Sequence, residues 1–111
     1  MRDIVLVLTT LPEDFDARDL ARALVELRVA ACVTVLPGVR SVYTWQHAVH
    51  DDSEQQLVIK TTADLVDALW AAIRPRHPYD VPEFIVVPVR EGNPDYFRWI
   101  GESVRLPERL P

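Results

Sequence analysis

A two-layer α+β sandwich in the order β-α-β-β-α-β, closed by one more helix, is the fold class that this sequence predicts. Three observations carry that reading. Apolar strand-like segments start near Asp3, Ala30, Glu54 and Phe84. Stripes of helical spacing fall between them, at Leu20-Ala21-Leu24-Leu27 and at Leu65-Leu69-Ala72-Ile73. Proline, glycine and acidic residues mark the breaks. With 111 residues there is room for one core, so one domain over 1–111 is expected.

Taken in order, Asp3 to Thr10 reads as a strand, with Ile4, Leu6 and Leu8 on one parity and Val5 and Val7 on the other. Pro12-Glu13 predicts a turn, after which Asp14 or Asp16 can cap the first helix. Ala30 to Trp45 is a second strand region whose Pro37-Gly38 step favours a bulge or kink. The polar stretch Gln46 to Ser53 predicts a turn, and Glu54 to Thr61 a third strand. Thr61 starts the second helix, with Asp64 as a weak capping-box partner, and Pro75 closes it. Phe84 to Val89 is the fourth strand. Asn93 as N-cap and Pro94 at the first helical position open a last helix, with Tyr96, Trp99, Ile100 and Val104 on one face. Leu106-Pro107 ends it and leaves a short tail. This order spells a split βαβ, ferredoxin-like domain.

Strand parity adds an expectation about assembly. The helices of such a domain cover one face of the sheet, yet the first and fourth strands are apolar on both parities, as strands buried on both faces are. No sequence is left over to cover the second face, so a homo-oligomer is expected. A monodisperse monomer in light scattering would contradict it. In the third strand, Leu57 and Ile59 suit the helix side, while Glu54, Gln56 and Lys60 project from the other, where they can line a cleft between subunits.

Charge and composition narrow the function. The net charge of −5 lacks the basic footprint of a nucleic-acid binder. No apolar run approaches the ~20 residues of a membrane span. The N-terminal segment reads as a strand, not a leader, so a cytoplasmic location is expected. A single cysteine, Cys32, excludes an intramolecular disulfide. Lys60 is the only lysine against eleven arginines, so a compact ammonium at that position and plain chance are both open.

The segment His77-Pro78-Tyr79-Asp80-Val81-Pro82-Glu83 is the clearest candidate for a site. Its two prolines stiffen it in an extended form, holding an imidazole, a phenol and carboxylates together at the mouth of a strand. A rigid, solvated helix-to-strand connection is the competing reading. His47 and His50, with Asp51, Asp52 and Glu54, offer imidazole and carboxylate donors of a kind that suits Cu(II), Ni(II) or Zn(II), against a simple solvated turn. Catalysis finds little support. No Ser, His and acid are spaced as a triad. The acylphosphatase chemistry known on this fold class needs an anion cradle with arginine after the first strand, where Leu11-Pro12-Glu13-Asp14 stands instead. A non-enzymatic protein is expected.

Ala31-Cys32-Val33, Leu36-Pro37-Gly38, Ser41-Val42-Tyr43-Thr44-Trp45, Asp52-Ser53-Glu54, Ile59-Lys60-Thr61, the His77 to Glu83 block and Tyr96-Phe97-Arg98-Trp99-Ile100 occur in that order. Together they closely resemble the CutA divalent-cation tolerance proteins. The resemblance implies a ferredoxin-like subunit in a PII-like homotrimer that responds to copper or other divalent cations without catalysis. It implies Cys32 and His77 as copper ligands, and Tyr43, Trp45, Glu54, Lys60, Tyr79 and Glu83 around an intersubunit cleft. Four positions depart from the usual pattern: Thr34 in place of asparagine, His47-Ala48 in place of Gly-Lys, and Leu11 where some relatives carry a second cysteine. The alternative function is a metal-independent PII-like module that binds a small anion or metabolite in the cleft through Lys60 and backbone N–H groups. No glycine-rich phosphate cradle accompanies it, since Gly38, Gly92 and Gly101 lie far apart.

Overall fold

A computed structural model describes residues 2–107. Four strands form one antiparallel sheet: β1 (Ile4–Pro12), β2 (Cys32–Trp45), β3 (Ala48–Thr62) and β4 (Ile85–Pro88), in the spatial order β2-β3-β1-β4. Helices α1 (Ala17–Glu26) and α2 (Val66–Ile73) are the two crossovers, and α3 (Pro94–Ser103) follows β4. This is the ferredoxin-like arrangement that the element order predicts.

Local chemistry explains where the helices begin. Asp16 caps α1, its carboxylate accepting from the N–H of Asp19 at 3.1 Å, and Asn93 caps α3 by accepting from Asp95 at 3.0 Å. Leu20 and Leu24 of α1 and Leu69 and Ile73 of α2 are buried on the sheet face that carries Val7, Leu11, Leu57 and Ile59. Burial of that one face follows from the β1–β3 register, in which Val7 pairs with Ile59 and Thr9 with Leu57. The other face carries Leu6, Leu8 and Val58, with Ile85 (48% exposed) and Val87 (37%) beside them in register.

Several boundaries differ from expectation. The polar stretch Gln46 to Ser53 is no loop. Gln46 and His47 alone make the turn, at φ 49° and 67°, and β3 starts at Ala48. Two left-handed residues match the strand twist, so the hairpin zips to its tip. Polar cross-strand contacts hold it: Arg40 to Asp51 at 2.7 Å, Arg40 to Ser53 at 3.1 Å, and Tyr43 donating to Asp52. β1 runs on to Pro12, whose carbonyl accepts from Phe15 N–H at 3.1 Å to close the turn. β3 extends to Thr62, so that residue and not Thr61 precedes the helical segment, as the cap of a single 3₁₀ turn (Ala63–Leu65). α3 stops at Ser103 because Val104 is extended, at φ −118° and ψ 151°. The expected tail beyond Pro107 lies outside the described residues.

The turn yields a first prediction. Non-glycine residues strain at positive φ, so Gln46→Asn with His47→Gly raises the stability by about 1 kcal/mol. Thermal unfolding checks this; an unchanged midpoint contradicts the left-handed turn.

The feature that positions the site is the bulge in β2. Leu36 pairs with Gln56, but Val39 pairs with Glu54, so β2 spends one more residue than β3 across this step. Gly38 takes up the distortion at φ 68°. As a result Cys32, Thr34 and Leu36 face the open side before the bulge, and Val39, Ser41, Tyr43 and Trp45 face it afterwards.

Candidate functional site

An open cleft of about 560 Å³ lies where the base of the hairpin meets the His77–Glu83 segment. Its walls include Tyr43 and Trp45 from β2, Glu54 from β3, and Tyr79, Asp80 and Glu83 from the segment. The structure thus brings together, within one chain, five of the six residues expected around an intersubunit cleft. Lys60 is elsewhere, six residues along β3 from Glu54, about 20 Å away at strand spacing.

Hydrogen bonds fix these walls. Tyr79 donates its phenol proton to Glu54 at 2.6 Å, and Glu54 is only 6% exposed. Gln56 donates to Glu83 at 3.1 Å and to the carbonyl of Thr9 at 2.8 Å, which ties the segment to the sheet. Burial, reinforced by the Glu54 carboxylate, pushes the Tyr79 phenol well above its ordinary pKa of 10.0. The Tyr43 phenol also moves up, first because it donates to Asp52. Both phenols are hydrogen-bond donors here, Tyr79 to Glu54 and Tyr43 to Asp52.

His77 anchors the segment from beneath and is 8% exposed. Its Nδ1 accepts from the N–H of Tyr79 at 3.2 Å. Nε2 lies 2.9 Å from the carbonyl of Thr10 and 3.2 Å from Oγ1 of Thr9. A carbonyl only accepts, so Nε2 carries the proton and the ring is neutral. Burial lowers its pKa below the ordinary 6.5. The imidazole satisfies the edge of β1 beyond the last β4 pair, Leu8 with Ile85.

Neither ring nitrogen of His77 is spare, and this bears on the expected copper pair. Cys32 is half-buried opposite Lys60 on the open face, with Lys60 Nζ 3.9 Å from its Sγ and 6.0 Å from the Tyr96 ring centre. Thr10, which His77 holds, pairs with Gln56, four residues from Lys60 and about 13 Å away along the strand. Within one chain the two expected ligands do not meet. Among the described residues no group of three or more His, Cys, Asp and Glu side chains is placed to hold a metal ion. The hairpin histidines do not converge either: His50 stacks on Tyr43 at 5.4 Å, His47 forms the turn, and Asp51 and Asp52 are taken by Arg40 and Tyr43.

The part that sequence reasoning missed is the support. Thr9, Thr10 and Gln56 hold His77 and Glu83, yet they read as ordinary strand residues. The polarity of Gln56 on the Glu54 strip was the one signal available.

Fold and site together define a ferredoxin-like domain whose open sheet face carries an anionic, aromatic-walled cleft. Residues 5–103 match the family model described as CutA1 divalent ion tolerance protein. The chain is 45% identical over 103 residues to the divalent-cation tolerance protein CutA of Pectobacterium atrosepticum, covering 93% of this chain and 94% of that one. It is 43% identical to the protein of the same name from Thermus thermophilus, covering 93% and 98%. The crystal structure of CutA1 from Oryza sativa superposes with a TM-score of 0.90 at 38% identity, covering 94% and 95%. This chain belongs to the CutA1 divalent ion tolerance family.

Proposed function

We propose that this protein is a non-enzymatic divalent-cation response protein that works as a homotrimer, with copper foremost among its cations. The observation that carries the reading is the charge of the cleft. Among the described residues, Glu54, Asp80 and Glu83 are its charged side chains and no lysine or arginine lines it. Such a field concentrates cations. A small anion, the competing ligand, meets repulsion there, and Lys60 stands beside Cys32 instead. Cys32, opposite Lys60 and outside this cleft, offers a separate soft donor of the kind that favours copper, and His77 acts as a positioning residue beneath the cleft. The apolar open face of the sheet supports assembly of copies, since exposed patches of this kind mark interaction surfaces.

The test is a Cu(II) and Zn(II) titration of metal-stripped protein against a competing chelator. Copper binding with Kd tighter than about 1 µM is expected, weakened in Cys32→Ala and in Glu54→Gln and retained in His47→Ala/His50→Ala. Loss only in the hairpin double variant moves the site to the turn. Binding no tighter than about 10 µM overturns the reading. Light scattering at the same concentrations is expected to give the mass of three chains, and that of one chain overturns the assembly.

A further inference from the structure

Cys32 is the only cysteine and Lys60 the only lysine of the chain, and the fold sets them side by side, away from the cleft. The β2–β3 register pairs them directly across the ladder, where the Cβ atoms of opposite residues stand about 5 Å apart. The N–H of Ala31 donates to the Lys60 carbonyl at 2.9 Å and holds that register at its end. Lys60 donates from Nζ to Sγ of Cys32 at 3.9 Å. Nζ also lies over the Tyr96 ring, 6.0 Å from its centre, and that ring stacks on Trp99 at 5.4 Å. Both residues sit on neighbouring strands of one chain, so their contact is set inside the chain, whatever copies pack around it.

The pair joins two nucleophiles, a thiol and an amine. A thiol with no second cysteine closes no internal disulfide, and the group in reach of its oxidised sulfur is the Lys60 amine. An arginine at this position could not serve, because a guanidinium keeps its proton. A lysine can release a proton and present a lone pair, and its flexible stem lets Nζ close the remaining gap. The one lysine among eleven arginines thereby gains a chemical reason.

We propose that Cys32 and Lys60 form a redox-controlled covalent crosslink, Sγ–O–Nζ, with a peroxide as the oxidant. Sγ attacks one peroxide oxygen, the O–O bond breaks, and a sulfenic acid and water form. The amine, its proton released to water, attacks a second peroxide in the same way and becomes an N-hydroxyl group, again with loss of water. The two hydroxyl groups then condense, expelling a third water and leaving one oxygen between sulfur and nitrogen. Sulfur and nitrogen each lose two electrons, and each peroxide gains two. An intervening oxygen spans more of the 3.9 Å gap than a direct S–N bond, with less displacement of the paired strands. Hydrogen peroxide is close to water in size, so the chemistry requires no open groove. The bridge withdraws the Cys32 sulfur from any metal, which makes that soft donor peroxide-sensitive.

Metal-stripped, reduced protein is treated with hydrogen peroxide and weighed intact. A gain of about 14 Da is expected, one oxygen added and two hydrogens lost. Proteolysis then yields a branched peptide joining Cys32 to Lys60, and dithiothreitol restores the starting mass. Lys60→Arg keeps a cation beside the thiol but gives no branched peptide, and its sulfur proceeds to sulfinic acid, about 32 Da heavier. Cys32→Ser gives neither product, and circular dichroism checks that both variants fold. Wild-type protein that gains only whole oxygens or stays unchanged overturns the proposal. So does a loss of about 2 Da, the mark of a direct S–N bond, or a disulfide between two chains. A 14 Da product that persists in Lys60→Arg overturns it as well. The readout is taken without metal, so its failure leaves the cation reading standing.

Discussion

Leu57→Ala lowers the free energy of unfolding by about 2–5 kcal/mol. Leu57 is fully buried in the middle of β3, paired with Thr9 of β1 on one side and Val35 of β2 on the other. It belongs to the same cluster as Leu20 and Leu24 of α1 and Leu69 of α2. Removing three carbons there forfeits their transfer free energy and leaves a void that the sheet backbone, hydrogen-bonded on both edges, closes poorly. Urea unfolding at fixed protein concentration measures it as a shift in midpoint with the slope unchanged. A loss below about 1 kcal/mol would show that β3 is not the centre of the core.

His77→Ala is the second large effect, about 2–4 kcal/mol. The change deletes a buried ring and leaves the Thr10 carbonyl and the Tyr79 N–H without their partners. It also frees the segment that carries Tyr79 and Glu83, so the cleft loses its wall together with the stability. His77→Gln separates the electrostatic part. Burial lowers the pKa of His77 in the folded protein below the 6.5 of the unfolded chain, so between the two values the unfolded state binds more protons. Stability is therefore complete above about pH 6.5 and falls as pH drops through that value towards the lowered folded one. Urea midpoints at about pH 7.5 and about pH 5.5 measure the difference, which is expected to shrink in His77→Gln. An equal pH dependence in the two proteins would show that the ring is not held neutral.

His77 also illustrates how far the site was legible. The composition of His77 to Glu83 marks it as a site or its rim, and the structure places Tyr79, Asp80 and Glu83 in the walls of a cleft. Histidine, however, has the same letter whether its nitrogens are free or engaged. Only the approach of β1, which leaves the Thr10 carbonyl without a strand partner, assigns the Nε2 proton and engages the second ring nitrogen. The pairing of Cys32 with His77 came from resemblance. Their separation follows from register, since Cys32 sits opposite Lys60 and Thr10 opposite Gln56.

The hairpin shows the same division. Gln46 to Ser53 carries no apolar alternation, so local pattern reads it as a turn. Pairing with Arg40 and Tyr43 across the ladder makes it strand, and those partners lie up to thirteen residues away. The Pro37-Gly38 step announced a bulge but not its consequence. A bulge of one residue reverses the parity of everything after it, and that reversal sets Tyr43 and Trp45 beside Glu54.

The element order, the capped helix starts, the two-sided apolar strands and the family were determined by the sequence alone. Each rests on periodicity, on proline and glycine, or on short motifs, all of which act over a few residues. The tertiary structure decided which side chains share the cleft within one chain, that Lys60 is not among them, that both ring nitrogens of His77 are hydrogen-bonded, and that no lysine or arginine among the described residues pairs with Glu54. These depend on register and on contacts between distant segments, and a shift of one residue in pairing exchanges one face of the sheet for the other.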